Sequence, residues 1–519
     1  MTADTETNTE ERRAGELTAR EMLRWAWRQL TSMRTALVLL LLLALAAVPG
    51  SVIPQESVDS LGVTRWKEQH PKLTPIYERL DLFSVFDSAW FSAIYILLMV
   101  SLVGCFVPRI LVYWRGLRAQ PPAAPRHLTR LPEHATYTTD DEVAEHLEHA
   151  RAVLRGRGYR LRDDTGEAVS AERGYLREAG NLVFHVSVLI VLVGFAVGGL
   201  FGYKGGVILV EGSTFSNNLT QYDDFDPGSL FRAEQMEPFS FTVDKFDVDW
   251  LESGPRAGMA QSFNAGLRYQ ESPDGTEKNY DLRVNHPLSI GDTEIFLIGH
   301  GYAPVVTVRD GNGDIAYSGP TVFLPQDASF LSFGVIKAPS AKPDKIGLEG
   351  LFYPTYLMVD GDPVTVMGDD KNPTLSMLVY TGDLGVDSGT PQSVYLLDKS
   401  NAEQVKGPDG KPFRVDIQPG QTVELPHGLG SIEFEGVKPW TRIQVSQTPG
   451  KEVALAGVVL ALIGLLGSLF IRPRRVWVKA RREGEGTMVE VAALDRSGNG
   501  EMTEILEEIV AELRRTERA

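Results

Sequence analysis

The chain has 519 residues, enough for two or three folding units, and its formal net charge of −17 argues against nucleic acid as a partner. Its one cysteine, Cys105, lies in an apolar run, so the long polar region that follows residue 203 contains none. That region is therefore neither a disulfide scaffold nor a thiol oxidoreductase, and it cannot attach haem through thioethers of its own. The apolar residues are clustered, so the average composition hides segments of membrane-spanning character.

The first 34 residues precede the first long apolar run. Residues 1–16 are polar and acidic, and we expect them to be disordered. Leu17–Arg34 has apolar residues at helical spacing, with Trp25 and Trp27 among arginines, which predicts a helix at the membrane interface; a soluble helical lead-in is the alternative. The apolar run itself is too long for a signal peptide and lacks a clear cleavage site, so we expect no cleavable signal.

Four apolar stretches are each roughly 18–25 residues long, the length that crosses a ~30 Å hydrocarbon core as a helix. We predict transmembrane helices at 35–53, 88–113, 180–202 and 451–471. The segments between and around them are an N-terminal stretch (1–34), a loop (54–87), a second loop (114–179), a large region (203–450) and a tail (472–519).

The distribution of basic residues predicts the orientation of these spans. Arginines crowd into 1–34, 114–179 and 472–519, whereas residues 204–450 hold 18 lysines and arginines against 34 aspartates and glutamates. By the positive-inside rule, both termini and the loop 114–179 are predicted to be cytoplasmic. The loop 54–87 and the region 203–450 are then extracytoplasmic.

The cytoplasmic loop and tail contain short strand and helix patterns. We predict strands at 135–138, 159–162, 168–173, 475–480 and 488–493, and helices at 140–155 and 501–514. Thr139 or Asp140 is the predicted N-cap of the first helix. Neither piece is large enough for its own core, so we predict that 114–179 and 472–519 pack into one small α/β domain of ferredoxin-like type.

The extracytoplasmic region shows short runs of alternating hydrophobicity at 239–250, 294–310, 393–398 and 431–437, separated by turn signals such as Pro273-Asp274-Gly275. This pattern predicts a β-rich domain, either an antiparallel sandwich or a barrel-like fold. No stretch of it clearly indicates a helix.

Signatures of an independent enzyme are missing from the sequence. The chain has no GxxxxGK[ST] loop, no GxGxxG after a strand, no HExxH and no CxxC. We therefore predict no catalytic residue in this chain, and whether it works as one subunit of an enzyme stays open at this point.

Most of the nine histidines have an ordinary interpretation. His146 and His149 are one helical turn apart, which can hold a metal, but a pair without a third ligand is more typical of a solvated helix surface. His286 and His300 are close in sequence and could lie on neighbouring strands, where surface or structural roles are the safer interpretation. The roles of His286, His300 and Cys105 stay open.

His185 differs because it lies inside the third predicted span, about five residues from its start and so ~6–8 Å deep at 1.5 Å per residue. Burying an ionisable side chain in a membrane costs free energy that something must offset, which makes His185 a candidate ligand or proton relay. A hydrogen bond to a neighbouring helix is the alternative.

Helix geometry assigns two faces to this span. At 100° per residue, Leu192 and Ala196 share the face of His185, whereas Gly194 and Gly198, a GxxxG pair, lie opposite. We expect the glycine face to pack against another helix of the same chain. The histidine face is then left for a ligand or for a second subunit.

Several segments together resemble the ResB family, also called CcsB, over nearly the whole chain. They are the first span with its terminal Ile53-Pro54-Gln55 (30–55), the second span with its Pro-Arg exit (82–109), the third span with its single histidine (174–194), VNHPLSIGDTEIFLIGHGYAP (284–304) and the end of the fourth span (467–479). Their combination is far more specific than any single motif.

This resemblance implies one subunit of a membrane cytochrome c synthetase in the bacterial plasma membrane, working with a ResC/CcsA-type partner. Such a complex carries haem b outward, and the reduced CxxCH thiols of apocytochrome c then attack the haem vinyl groups. The family's intramembrane histidine, taken as one axial haem ligand, corresponds to His185. The second axial ligand and the tryptophan-rich haem loop belong to the partner, so this chain is expected to be a non-catalytic or half-site subunit.

The haem propionates need basic partners, and Arg177 and Lys204, at the two ends of the span, are the candidates. Two other functions remain open. One is a pure assembly factor that docks apocytochrome c without touching haem, and the other is a membrane sensor with an external ligand-binding domain.

Overall fold

The fold is described from a computed structural model, which covers residues 18–56, 60–162, 166, 168–251, 253–254, 258–385, 394–495 and 502–515. The predicted disorder of residues 1–16 lies outside these ranges. The α-helices are α1 (Ala19–Leu30), α2 (Met33–Val52), α3 (Ser60–Gln69), α4 (Thr74–Arg79), α5 (Ala89–Arg118), α6 (Val143–Gly156), α7 (Arg177–Phe201), α8 (Lys451–Phe470) and α9 (Thr503–Leu513).

The strands fall into two groups. One group lies before α7 and after α8, and the larger group lies between α7 and α8. The former are β1 (Glu133–Thr139), β2 (Arg160–Leu161) and β3 (Ala168–Arg173), with β23 (Arg474–Glu483) and β24 (Gly486–Asp495) after α8. The latter are β4 (Tyr203–Val210), β5 (Thr214–Ser216), β6 (Asp224–Pro227), β7 (Ser240–Trp250), β8 (Ala260–Gln270), β9 (Lys278–Arg283), β10 (Leu288–Ile290), β11 (Thr293–Arg309), β12 (Ile315–Pro320), β13 (Leu324–Pro325), β14 (Ser332–Ala338), β15 (Ile346–Tyr353), β16 (Tyr356–Val359), β17 (Asp362–Thr365), β18 (Thr374–Asp383), β19 (Asn401–Gln404), β20 (Arg414–Ile417), β21 (Gln421–Leu425) and β22 (Gly430–Gln447).

Internal contacts divide the chain into two units. The first unit comprises Met1–Ala196 and Gly450–Ala519, and the second comprises Val197–Pro449. Each unit is described by itself below.

Four helices, α2, α5, α7 and α8, are long and apolar enough to cross a membrane, so the prediction of four apolar spans is confirmed. Two bounds differ from those predicted by three residues or more. The helix α5 continues past residue 113 to Arg118, whose guanidinium lies 4.4 Å from the Trp114 ring. The helix α7 begins at Arg177, three residues before the predicted span.

The helix α1 starts with a capping box, in which Thr18 and Glu21 each accept a hydrogen bond from the other's backbone N–H. Its Met22, Leu23 and Trp25 side chains are all more than half exposed. An amphipathic helix with exposed leucine and tryptophan has the composition of an interfacial helix, as the sequence predicted, although its position relative to a bilayer stays a prediction.

The junction between α1 and α2 packs against α5. Ser101 Oγ donates to the Leu30 carbonyl at 2.6 Å, and Cys105 Sγ donates to the Thr31 carbonyl at 2.8 Å. These carbonyls are at the C-terminal end of α1, where the helix offers no partner of its own. Cys105 therefore has a structural role, as a donor to an otherwise unpaired carbonyl.

The helices α7 and α8 are antiparallel and approach so closely that glycine is required at the contact. A Cβ on Gly194 would lie 2.8 Å from the Ala454 nitrogen, and one on Gly457 would lie 3.0 Å from the Val191 nitrogen. A Cβ on Gly464 would clash with the backbone nitrogen of Phe184 and would lie 2.8 Å from the Gly180 carbonyl oxygen. Small residues allow this approach, and close van der Waals packing is what holds helices together in lipid.

Segments before α7 and after α8 form one antiparallel sheet in the order β1-β24-β23-β3-β2, with α6 and α9 packed on one face. The side chains between the helices and the sheet are apolar, including Leu147, Leu154, Val478, Val491 and Ile509. Leu128 and Trp477 are buried in a smaller cluster of their own.

The predicted strands and helices of this sheet are present, with small shifts at their ends, but two details were wrong. The arrangement is not ferredoxin-like, because β1 lies at the edge and pairs with β24, and every neighbouring pair is antiparallel. The N-cap of α6 is Glu142 instead of Thr139 or Asp140, because Thr139 Oγ1 accepts from the Asp141 N–H before the helix begins.

The second unit is β-rich, which confirms the predicted class, and its described residues contain no α-helix after the end of α7. Its central feature is the long antiparallel pair of β11 and β22, which runs from Thr293–Gln447 to Arg309–Ser431 with register shifts at Leu297/Gly299 and Val305/Val306. The strands β4, β6, β10, β12 and β21 extend the sheet around this pair.

Two cores lie along the long pair. At one end, Ile295, Leu297 and Ile443 pack with side chains of the four-stranded sheet β5-β7-β8-β9. At the other end, Val306, Val308 and Phe434 pack with the sheet of β13, β14, β15, β18, β19 and β20. The unit is therefore two sandwiches that share one pair of strands.

The predicted strand at 393–398 was wrong where the structure describes it. Ser393 lies outside the described residues, and 394–398 form a turn and irregular backbone. The alternation has a different cause, because Leu397 is buried against Val335, Tyr380 and Leu384 while its apolar neighbours Val394 and Leu396 are exposed.

Substitution Gly464→Ala is expected to destabilise the α7–α8 contact, because the added methyl group meets backbone atoms that cannot rotate away. Overpacking of this kind costs about 1–3 kcal/mol. Gly467→Ala is the matched control on the same helix, since its Cβ would lie 3.5 Å from the nearest atom, the Gly180 Cα. We expect a lower melting temperature in detergent for the first variant and no decrease for the second; equal melting temperatures would contradict this packing.

Candidate functional site

The position of His185 follows from the α7–α8 contact. Gly180, Ser187 and Gly194 are seven residues apart and form the face of α7 that meets α8, where Ser187 is 1% exposed. His185 is at about 180° from Gly194 around the helix, at 100° per residue. Its side chain therefore leaves α7 on the side away from α8.

The predicted packing of Gly194 against another helix of the chain is confirmed, but the GxxxG pair is not the contact motif. Gly198 lies near Thr448 and Pro449, before α8 begins. A spacing of seven residues, starting at Gly180, was the signal in the sequence that would have found the complete face.

The His185 ring is held by a hydrogen bond within α7. Its Nδ1 lies 2.8 Å from the carbonyl oxygen of Asn181, one turn earlier. A carbonyl oxygen can only accept, so in the neutral imidazole the proton is on Nδ1 and the lone pair is on Nε2. Among the described residues, none forms a hydrogen bond with Nε2, so this nitrogen is available as a ligand.

Aromatic rings surround the imidazole. The Phe106 ring of α5 meets it edge to face at 5.0 Å between centroids, and Phe184 does so at 5.2 Å. Tyr95 of α5 donates to the Leu192 carbonyl of α7 at 2.7 Å and links the two helices two turns further along α7. Neither Phe106 nor Tyr95 was predicted from the sequence as a site residue, because aromatic residues in an apolar span carry no recognisable pattern.

Two arginines lie towards the end of the helices at which α7 begins. Arg177, in the first turn of α7, donates through Nε to the Ser468 carbonyl at 3.2 Å. Arg109 is three residues after Phe106 on α5 and its Nη2 lies 2.8 Å from Met33 Sδ. Lys204, the other residue predicted to meet propionates, is an exposed residue of β4 in the second unit.

His146 was expected on a solvated helix surface, and this was wrong. It is 1% exposed and both of its ring nitrogens have partners. Nδ1 is 2.9 Å from Asp141 Oδ2 and Nε2 is 2.8 Å from the Tyr137 hydroxyl, so Nδ1–H donates to the carboxylate and the hydroxyl donates to Nε2. The hydrogen bond from His146 lowers the pKa of Asp141.

His146 and His149 are therefore not a metal pair in this structure, because neither nitrogen of His146 is free. No group of three or more His, Cys, Asp or Glu side chains suited to a metal ion occurs among the described residues. The Asp141–His146–Tyr137 chain instead joins α6 to β1 inside the first unit.

The histidines of the second unit are in three different environments. His286 is exposed in the turn after β9, not on a strand next to that of His300, as the sequence had suggested. His427 is exposed, and its Nε2 lies 3.1 Å from the Lys406 carbonyl. His300 is a half-buried residue of β11 among aromatic rings.

Residues 33–507 match the ResB-like family, a range that includes all four apolar helices and both units. The chain belongs to the ResB-like family. The single histidine of α7 is thus part of a ResB-like protein, as the sequence resemblance predicted.

Named relatives match this ResB-like chain over most of its length. A cytochrome c biogenesis protein CcsB of Thermosynechococcus vestitus is 26% identical, covering 86% of this chain and 87% of the relative. A cytochrome c biogenesis protein ResB of Bacillus subtilis is 23% identical, covering 88% and 82%. A CcsB of Synechococcus sp. strain WH7803 is 25% identical, covering 86% and 89%.

Replacing His146 by leucine is expected to remove its hydrogen bonds with the Tyr137 hydroxyl and the Asp141 carboxylate, at a cost of about 2 kcal/mol. That cost corresponds to roughly 30-fold faster hydrogen exchange in peptides of β1 and α6. His149→Ala is the control, since its contact, to the Glu512 carbonyl, is 3.5 Å long. Unchanged exchange in His146→Leu would contradict a structural role for the buried chain of hydrogen bonds.

The tautomer of His185 is a second measurable prediction. In the full chain labelled with 15N-histidine, we expect His185 to be protonated on Nδ1, which is the less common tautomer of a neutral histidine side chain in water. Solid-state NMR of the chain in lipid measures this, with His185→Gln used to assign the resonance. Protonation on Nε2 alone would show that the hydrogen bond to the Asn181 carbonyl does not determine the tautomer of His185.

Proposed function

We propose that this ResB-like chain takes part in cytochrome c biogenesis as the haem-handling subunit of a membrane cytochrome c synthetase. It acts with a ResC/CcsA-type membrane partner and passes haem b to apocytochrome c. The single observation that carries the proposal is His185 on the face of α7 opposite the α8 contact, where no described residue forms a hydrogen bond with its Nε2. Membership of the family and the names of its relatives support the process.

His185 has the properties of an axial ligand to haem iron. The Asn181 carbonyl fixes the ring orientation and keeps the lone pair on Nε2, as hydrogen bonds to the second nitrogen do for metal-ligating histidines. Phe106 and Phe184 supply an apolar surrounding that suits a porphyrin face. Iron ligation and porphyrin packing would together offset the cost of placing an imidazole in a membrane.

The site in this chain is one half of a haem site. A second axial ligand has to come from the partner, because His185 is the one histidine within the four spans. Haem bound at His185 would have its propionates towards Arg109 and Arg177, which lie at the end where α7 begins. A basic residue at that end is what a dianionic group at a membrane surface requires.

The topology follows from the basic loops. Both termini and the β1-β24-β23-β3-β2 sheet are cytoplasmic in this proposal, and the β-rich unit is extracytoplasmic. His185 is then near the cytoplasmic end of its helix, where haem arrives from inside the cell. The thiols of apocytochrome c would add across the haem vinyl groups outside. Each addition breaks one S–H bond and the π bond of one vinyl group and forms one C–S and one C–H bond.

The test is co-expression of the chain with its partner and measurement of haem in the purified complex. We expect His185→Ala to reduce bound haem and cytochrome c assembly tenfold or more, because removal of a ligand exceeds the 10–100-fold effect of losing its hydrogen-bond partner. Added imidazole, which can enter the space of the lost ring, is expected to restore part of the bound haem.

The matched control is Asn181→Ala. The hydrogen bond to His185 comes from the backbone carbonyl of residue 181, which this substitution keeps, so bound haem should stay at the wild-type level. Full haem content and full cytochrome c assembly in His185→Ala would show that His185 is not a ligand and would favour a pure assembly factor.

A further inference from the structure

A second histidine site lies within the β-rich unit. A cavity of about 420 Å³ opens between β7, β8, β11 and the loop that follows β13. The side chains around it are apolar apart from His300, and they include Phe246, Phe263, Leu297 and Phe330. The volume is within the ~300–1,000 Å³ that is typical of sites for small organic molecules.

The imidazole of His300 is part of an aromatic cluster. Phe330 is stacked on it at 4.5 Å between centroids with an angle of 29°, and Phe263 and Phe246 lie at 5.0 and 5.5 Å. Among the described residues, none forms a hydrogen bond or an ion pair with His300. A half-buried imidazole with no polar partner needs an explanation, because burying such a group without a hydrogen bond costs free energy.

The loop that carries Phe330 is shaped to place this ring. Asp327 Oδ1 accepts from the backbone N–H groups of Ser329 and Leu331, and Phe330 between them has a φ of +62°. A positive φ is unfavourable for phenylalanine and persists where the surroundings enforce it. Phe330, which stacks on His300, also contacts Trp250. The centroids of these two rings are 5.8 Å apart and their planes are perpendicular.

Burial lowers the pKa of His300 to about 4. The imidazole is therefore neutral across the physiological range and keeps a lone pair on one nitrogen. A neutral imidazole in an apolar cavity does not attract an anion, so phosphate and carboxylate ligands are a poor match for this site.

The lining restricts the chemistry of the ligand further. A free metal ion would need several protein ligands, and the described residues offer no cluster of three near His300 or elsewhere. One imidazole is enough when the metal already has four ligands within a flat organic ring, as in haem. The aromatic walls suit the face of such a ring.

We propose that the His300 cavity is a second haem-binding site of this chain, in which His300 is the iron ligand and the apolar walls hold one edge of the porphyrin. This proposal rests on the proposed function for the identity of the ligand. Val284 and Ile298, which also line the cavity, are 47% and 49% exposed, so the mouth of the site is accessible. The propionate edge would remain in water at this mouth.

The test is titration of the purified full chain, without its partner, in lipid nanodiscs with hemin. The background is His185→Ala, which removes the intramembrane ligand. In this background we expect one hemin to bind with the absorption spectrum of an imidazole complex. Adding His300→Phe, which keeps an aromatic ring in the cluster but removes the nitrogen, is expected to weaken binding at least tenfold and to abolish that spectrum.

Two controls make the result specific. His427→Ala in the same background removes an exposed histidine of the same unit and should leave hemin binding unchanged. Protoporphyrin without a metal should bind at least tenfold more weakly than hemin to the chain with His300. His300→Gln, which keeps a polar side chain of similar size, should behave as His300→Phe if the ring nitrogen is the ligand. Of the two, only variants whose melting temperature equals that of the His185→Ala background are compared, so that loss of hemin binding does not reflect misfolding.

Equal hemin binding in the presence and absence of His300 would overturn the proposal, and the cavity would then be open to another occupant, such as an apolar side chain of a partner polypeptide. Absence of hemin binding in the His185→Ala background would overturn it as well. Both results are independent of the co-expression test of His185, which measures haem in the complex with the partner.

Discussion

The close approach of α7 and α8 is the constraint on which the position of His185 depends. Gly180, Ser187 and Gly194 on one helix and Gly457 and Gly464 on the other leave no room for a larger side chain between the two backbones. In lipid, where apolar side chains gain little by leaving the solvent, such contact is a principal source of helix association. It fixes the rotation of α7 and so the direction in which His185 points.

The same two chain segments pair again as strands beyond each end of the helices. Before α7 and after α8, β3 pairs with β23, from Arg173–Arg474 to Ala168–Lys479. After α7 and before α8, β4 pairs with β22, from Tyr203–Gln447 to Val210–Trp440. Both pairs are antiparallel, so each unit contains a sheet to which both chain segments contribute a strand.

Once the rotation of α7 is fixed, the chemistry of His185 depends on one backbone carbonyl. The hydrogen bond from Nδ1 to the backbone carbonyl of Asn181 requires no second side chain, and it leaves the lone pair on Nε2. Phe106 then limits the movement of the ring from the side of α5. An intramembrane histidine that was used only to bind helices together would direct its second nitrogen at a neighbour, and none of the described residues takes that place.

The sequence predicted the spans and the position of His185 because length, hydropathy and basic loops act locally. It failed where distant residues decide. His146 looks like a surface residue beside Glu145 and Glu148, and its burial depends on Tyr137 and on the sheet that the C-terminal tail completes. Likewise, the rings around His300 come from β7, β8 and the loop after β13, none of which is adjacent to it in sequence.

Exchange of the ligand type tests most directly whether Nε2 of His185 binds haem iron. The complex of the full chain with its partner would be purified with His185→Cys, and its absorption and electron paramagnetic resonance spectra compared with those of the wild type. If His185 is an axial ligand, the spectra should change from those of an imidazole complex to those of a complex with a sulfur ligand, or haem should be lost. Haem bound at the wild-type level with unchanged spectra would contradict ligation by His185.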